Sequence, residues 1–300
     1  MGLDAALDRF WAAADARRLG VDSIQVVTDD GPHGERRRIA DIRRDVYSVS
    51  KTVTSLAIGM LESDGALNLD DPVLTHLPEL ADTAATGTEK MTVAHLLRMT
   101  AGNGYRWADD DADHPGDPAR DFLATPLVAE PGTVYHYGGG NTYVLGRIVH
   151  SISGRDLRDF LLPRLFAPLG IRNPQWNRCP LGFPLGAIGL QLRTSDITRI
   201  ARLLLHEGTH DGQRLVPPGY IARMSTDTTD TGRSESDNRT YGLHAWRCAR
   251  DGAWRMDGIY GQFGIMLPAH RATVSVTAHY QGPTTQILDC VWEHIVPALA

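Results

Sequence analysis

Cysteine is scarce, three residues in 300, and Cys179, Cys248 and Cys290 stand far apart, which excludes a disulfide framework and a CxxC metal clasp. They are expected to be reduced and structural. Long apolar runs are missing too, since no stretch approaches the roughly 20 residues that a membrane span requires. The opening MGLDAALDRFWAAADARR carries charges where a secretory signal needs an unbroken apolar segment, so the sequence points to a soluble, cytoplasmic protein without a membrane partner. There is no surplus of positive charge. Thirty basic against 36 acidic side chains give a net charge of −6. Apart from Arg36, Arg37 and Arg38, read as a solvated hairpin flank, the arginines are scattered among carboxylates, which leaves no face for nucleic acid. Internal repeats and low-complexity tracts are absent as well.

What is present suffices for one sizeable core or two interleaved subdomains. Leu3, Leu7, Phe10, Trp11 and Ala14 fall at helical spacing, and a strand-like run follows from Ser23 to Thr28. Gly31, Pro32 and Gly34 then mark a hairpin turn into a second strand. Val46 to Leu61 has the pattern of a largely buried helix. From Asp64 to Leu192 short helices are broken by Gly and Pro. Beyond a helix at Asp196 to His206, the runs Tyr241 to Trp246, Gln262 to Leu267 and Thr273 to His279 read as strands, and Ile287 to Leu299 as a closing helix. The expected organisation is α/β (α+β): residues 1–62 and 193–300 form one subdomain, residues 63–192 an inserted, mainly helical one, with the site in the cleft between them.

In Tyr47-Ser48-Val49-Ser50-Lys51 a serine at a helix start and a lysine three residues on share one face and can touch. The helix N-terminus adds free N–H groups and a positive dipole end, suited to an anionic tetrahedral intermediate. Burial favours the neutral lysine that a serine nucleophile needs as its base. A capping serine followed by a surface lysine is the plain alternative. The apolar stretch after Lys51, nearly free of charge until Glu62, argues against it.

Here the text becomes specific. YSVSKTVTSLAIGMLESDGALNLDDPVLTHLPEL, MTVAHLLRMTAG, PGTVYHYGGGNTYVLGRIVHSISG, RLFAPLGI and GLQLRTSDITRIARLLLHEGTHDGQRL resemble, in order, blocks of the penicillin-binding and class C β-lactamase-like serine hydrolase superfamily. The resemblance implies a β-lactamase/transpeptidase-like fold: a mainly antiparallel sheet flanked by terminal helices, with an inserted helical subdomain. It implies Ser48 as nucleophile and Lys51 as general base. The family's Tyr-x-Asn falls on Tyr137-Gly138-Gly139, so Tyr137 is the implied proton shuttle, with Tyr135 as the lesser candidate. The asparagine is replaced by Gly139, and Asn141 is the residue that could stand in for it. The Lys-Thr-Gly motif falls, to within one residue, on Met256-Asp257-Gly258. Gly258 permits close approach of backbone, and the N–H groups of Ser48 and Ile259 become the implied oxyanion donors. With Met256 in place of lysine and Asp257 beside it, weak β-lactamase and DD-peptidase activity is expected. The MTAG block and the Gly-x-x-Gly-Gln ending at Gln262 resemble the 6-aminohexanoate-oligomer hydrolase and esterase branch, which implies a small amide or ester as substrate. Trp107 and Trp176 are expected at the substrate rim. Asp257, or the acidic loop of Asp109, Asp110, Asp111 and Asp113, could meet a substrate amine, though that loop reads more simply as solvated.

Rival signals are present. His206-Glu207-Gly208-Thr209-His210 matches His-Glu-x-x-His, the zinc protease pattern, but Gly208 and Asp211-Gly212 end the helix that would have to carry both histidines. The spacing around Asp109 lacks the glycine and terminal glutamate of a calcium loop. The Gly138–Gly140 run lacks the Lys-Ser or Lys-Thr of a phosphate cradle. No metal or organic cofactor is expected. The reading is a serine hydrolase, and its alternatives are an acyltransferase or transpeptidase using the same acyl-enzyme, or a degenerate member that only binds an acyl ligand.

Overall fold

The structure is a computed structural model that describes residues 2–31, 33–107, 116–250 and 252–299. Asp109, Asp110, Asp111, Asp113 and His114 lie outside the described residues.

Helix α1 (Leu3–Ala16) leads into strands β1 (Val21–Thr28), β2 (Gly34–Arg37) and the short β3 (Arg44–Asp45). The helical region follows: α2 (Val49–Ser63), α3 (Val73–His76), α4 (Val93–Leu97), α5 (Pro118–Ala124), α6 (Gly139–Ser153) and α7 (Leu157–Leu161). It is not purely helical. Strands β4 (Gln175–Trp176) and β5 (Leu190–Leu192) pair with β3 in the order β3-β5-β4, tying this region to the chain just before Ser48.

Helix α8 (Thr194–Leu205), the small hairpin β6 (Thr209–His210) and β7 (Gln213–Arg214), and α9 (Pro218–Thr226) lead back to the main sheet. Its remaining strands are β8 (Thr229–Asp230), β9 (Thr240–Tyr241), β10 (Trp246–Arg247), β11 (Trp254–Gly258), β12 (Gln262–Leu267) and β13 (Ala272–Ala278), and α10 (Thr285–Cys290) opens the closing helical stretch. The eight strands run β2-β1-β13-β12-β11-β10-β9-β8 with antiparallel pairings.

The sheet is covered on both faces, so alternation separates two cores. Phe263, Ile265, Val274 and Val276 pack with Leu7 and Phe10 of α1 and with Ile287 and Val291 of the C-terminal helix. Met256 and Met266 point the other way, toward Ile197 and Ala201 of α8 and the apolar side of α2. On that face Thr277 Oγ1 meets Thr194 Oγ1 at 2.9 Å, which satisfies two buried hydroxyls.

One expected strand is two. Between β9 and β10 the chain turns at Gly242–Ala245, with His244 at φ 58° and the Gly242 N–H donating to the Ala245 carbonyl. A Cβ on residue 242 would sit 2.0 Å from the Met224 carbonyl oxygen, so glycine is required there. The His206–His210 segment likewise divides. Helix α8 stops at Leu205, His206 Nε2 meets Asp29 Oδ1 at 2.8 Å, and His210 belongs to β6. Cys179, Cys248 and Cys290 are free and buried. Among the described residues no helix is long and apolar enough to cross a membrane.

Candidate active site

Helix α2 is buried along its length, with every residue from Val49 to Leu61 inside the protein. That placement governs how Ser48 and Lys51 are held. Ser48 stands at the N-cap, but its hydroxyl makes no capping bond; instead Lys51 Nζ donates to Ser48 Oγ at 2.9 Å. Lys51 is 1% exposed. The capping-serine, surface-lysine alternative therefore fails at both residues. A second Lys51 bond, 3.2 Å, goes to the Ala187 carbonyl, and the ring of Tyr137 lies 4.9 Å from Nζ.

The turn into α2 is strained. Tyr47 has φ 47°, a region that costs about 1–2 kcal/mol for a residue with a Cβ. Its N–H donates to Asp45 Oδ1 at 2.7 Å, and its ring meets Tyr260 edge-on at 5.0 Å. Asp45 also accepts from the Gly189 N–H at 3.1 Å. Its carboxyl is pushed up by burial, against the pull of those two N–H groups and of Lys51.

Behind Lys51 lies a residue that the sequence did not flag. His244 is 1% exposed. Its Nδ1 meets the Leu97 carbonyl at 2.8 Å, so Nδ1 carries the proton, and Nε2 accepts from Thr142 Oγ1 at 2.9 Å. Its own carbonyl accepts from Thr52 Oγ1 at 2.6 Å. The ring thus joins α4 and α6, and the His244 carbonyl adds α2, next to Ser48. Burial, with Lys51 nearby, pushes its pKa down to about 3.

Strand β11 approaches Ser48 from the other side. A Cβ on Gly258 would come within 2.4 Å of the Val46 carbonyl oxygen, so glycine lets the strand lie against the backbone just before the serine. Ile259 follows, 42% exposed, and the hairpin to β12 closes through Tyr260 at φ 65° and Gly261 at φ 91°. Ser48, Tyr137, Asp257 and Ile259 line one cleft of about 600 Å³, together with Trp246, Arg233, Glu235, Asn238 and the Tyr280–Thr285 segment.

Several expected rim residues are elsewhere. Trp176 is 5% exposed and its Nε1 donates to the Ile188 carbonyl, so it is core. Trp107 is half-buried, tilted against Tyr143 with ring centroids 5.1 Å apart, and does not line the cleft. Its indole instead faces Gly139, where a Cβ would lie 3.6 Å from it and 3.4 Å from the Ala187 Cβ. Gly139 is itself buried at the start of α6. Asn141 does not reach the cleft either; its Nδ2 donates to the Gly138 carbonyl at 3.3 Å. The carbonyl of Ala187 is what holds Lys51. Gln262 is buried, donating to the Ala278 carbonyl at 2.8 Å. It lines a separate cavity of about 750 Å³ beyond Tyr47 and Tyr260. Met256 is fully buried in the core, which leaves Asp257 as the residue β11 presents to the cleft. Asp257 is paired to Arg255 at 2.8 Å, so it is not an open trap for a substrate amine. Burial pushes its carboxyl up, while Arg255 and Arg233 oppose the shift.

Among curated proteins the chain is similar to 6-aminohexanoate-dimer hydrolase of Paenarthrobacter ureafaciens, 24% identical over 82% of this chain and 68% of that protein. It is similar to esterase EstB of Burkholderia gladioli, 32% identical over 57% of this chain and 50% of that one. It spans between 31% and 55% of the length of several other curated relatives. The D-stereospecific amidohydrolase of Streptomyces sp. shares the fold: TM-score 0.76 at 20% identity, covering 97% of this chain and 99% of that one. The structural likeness, with its mixed helices and antiparallel sheet, is that of the β-lactamase/transpeptidase-like fold. A model of the beta-lactamase family matches residues 6–289, nearly the full length of the chain, and the protein therefore belongs to that family.

Proposed function

We propose that the protein is a serine hydrolase that opens a small amide or ester through an acyl-enzyme on Ser48. The observation that carries this reading is the 2.9 Å contact between Ser48 Oγ and a lysine removed from solvent. Burial works against the ammonium form, and Lys51, once it has given up its proton, can take the Ser48 proton as Oγ attacks the substrate carbonyl. The developing oxyanion is assigned to the backbone N–H groups of Ser48 and Ile259, which the close approach at Gly258 supports. Tyr137, packed against Lys51, gives its phenolic proton to the leaving nitrogen or oxygen as the C–N or C–O bond breaks, and takes in exchange the proton that Lys51 received from Ser48. Water, activated by the same groups, then releases the acid and restores Ser48. Relatives named 6-aminohexanoate-dimer hydrolase and esterase EstB support an amide or ester of modest size. With Met256 in the core and Asp257 paired, β11 offers no cation to a penicillin carboxylate, so weak β-lactamase activity is expected.

The test is labelling with a fluorophosphonate and turnover of p-nitrophenyl butyrate by wild type, Ser48→Ala and Lys51→Ala. Label at Ser48 in wild type, with a loss of at least about a thousandfold in turnover in both variants, is expected. Turnover by Ser48→Ala equal to wild type would overturn the acyl-enzyme. Butyl ester formed in added butanol would move the activity toward acyl transfer.

A further inference from the structure

The charges of the cleft do not cancel where they stand. Asp257 is matched from behind by Arg255, which is fully buried and held on several sides. Its Nε donates to Asp257 Oδ2 at 2.9 Å and its Nη1 to the Asp237 carbonyl at 2.6 Å. Its Nη2 donates to Asn238 Oδ1 at 2.6 Å and meets Asp257 Oδ2 at 2.8 Å. These bonds also anchor the loop between β8 and β9, which carries Arg233. That loop is tied further by Thr231 Oγ1, which donates to the Asn238 carbonyl at 2.6 Å and accepts from the Arg233 N–H at 3.2 Å. The Arg233 guanidinium rests 5.2 Å from the ring centroid of Trp246, and Trp246 in turn packs on Tyr137, centroids 5.9 Å apart. Arg233 therefore sits one aromatic ring away from the tyrosine at Lys51. Among the described residues its guanidinium has no carboxylate within ion-pair distance and no hydrogen bond.

Resting on the acyl-enzyme reading, we infer that Arg233 is a specificity-determining residue that receives a carboxylate carried by the substrate, so that the preferred amide or ester is an anionic one. A guanidinium stacked on an indole keeps its donors free and pre-aimed, which suits it to a carboxylate better than a loose surface lysine. It reaches the cleft from the β8–β9 loop and not from β11, so the loss of lysine at Met256 removes a cation from the strand, not from the cleft. Glu235 lines the same cleft and opposes such a substrate, which fixes the sign of a second variant.

The experiment compares kcat/KM for two matched pairs. In one, the carboxylate is on the acyl side: mono-p-nitrophenyl hexanedioate against its methyl ester. In the other it is on the leaving side: 3-carboxyphenyl butanoate against 3-carbamoylphenyl butanoate. In wild type at least one pair should favour the anion about tenfold. Arg233→Gln should erase that ratio, Arg233→Lys should keep part of it, and Glu235→Gln should raise it. A wild-type ratio near one in both pairs, or a ratio untouched by Arg233→Gln, overturns the inference. Calorimetric titration of N-butanoyl-4-aminobutanoate and its carboxamide into Ser48→Ala reads the same preference without chemistry. If wild type neither labels nor turns over ester, the acyl-enzyme reading falls, and the calorimetry alone decides the role of Arg233: tighter carboxylate binding that Arg233→Gln abolishes supports it, and equal binding of acid and amide refutes it.

Discussion

His244 ties the stability of the site region to pH in a direction the structure fixes. The ring is held neutral, with its pKa down at about 3 against an ordinary value of 6.5. The unfolded chain therefore takes up a proton below pH 6.5 that the folded protein refuses. Stability contributed by the neutral ring is complete above 6.5 and falls as pH drops toward 3. The slope approaches about 1.4 kcal/mol per pH unit once the unfolded imidazole is fully protonated, so roughly 2 kcal/mol is lost between pH 6.5 and pH 4.5. His244→Asn isolates this term from every other titrating group. Asparagine tolerates the left-handed backbone at φ 58° and can place its Nδ2 where Nδ1 meets the Leu97 carbonyl, but it loses the bond with Thr142. At pH 7 the variant should be less stable by about 1–3 kcal/mol. Urea unfolding of both proteins from pH 7 to pH 4.5 should show that gap closing as pH falls, because only the wild type loses the histidine term. A gap that stays constant across this range would refute the assignment of a neutral, proton-refusing His244.

Two further predictions concern β11. In Gly258→Ala the new Cβ lies 2.4 Å from the Val46 carbonyl oxygen, so the strand and the turn before Ser48 must part by about 1 Å to reach an ordinary C···O separation. That should cost roughly 1–3 kcal/mol in a urea titration and about a hundredfold in ester turnover; full activity would mean that β11 does not set the oxyanion geometry. Asp257→Ala strips the fully buried Arg255 of its carboxylate and should lower unfolding stability by roughly 3 kcal/mol, whereas a fall under about 0.5 kcal/mol would show that Asn238 and the Asp237 carbonyl satisfy the guanidinium unaided.

The sequence carried the site where its signal was local. Burial of α2 followed from an apolar run too long for a surface helix, and the contact of Ser48 with Lys51 followed from helical spacing once that burial was granted. Strand β12 was legible because Gln262–Leu267 is apolar and bounded by glycine and proline. Legibility failed where a residue's surroundings come from distant segments. Tyr241 to Trp246 has strand-like composition, yet Gly242 lies against the Met224 carbonyl, and that contact makes a turn of it. Trp176 and Trp107 differ in nothing local that says which side of a loop is core. Arg233, in a run of Thr, Asp, Ser and Glu, reads as a solvated loop residue until the sheet order sets β10 and Trp246 beneath it. One signal was available and overlooked: Arg255 and Asp257 are two apart on a strand, hence on one face, and that spacing alone foretells the pair that removes Asp257 from the role of amine trap.

The missing asparagine at Gly139 bears on whether a family member that has lost a motif residue has lost its chemistry. In the mechanism we propose, Lys51 requires an acceptor that orients Nζ toward Ser48 without stabilising the ammonium so strongly that it could not act as a base. A carboxylate would satisfy the first condition and violate the second, whereas a neutral oxygen satisfies both. The Ala187 carbonyl at 3.2 Å is such an oxygen, and as part of the main chain it needs no side chain at residue 139. The space beside Gly139 is faced by the Trp107 indole and the Ala187 methyl, so the glycine belongs to an arrangement packed against it and is not a hole left by a deletion. Loss of a motif residue is informative about function only when its physical task goes undone, and at Lys51 the main chain supplies the acceptor.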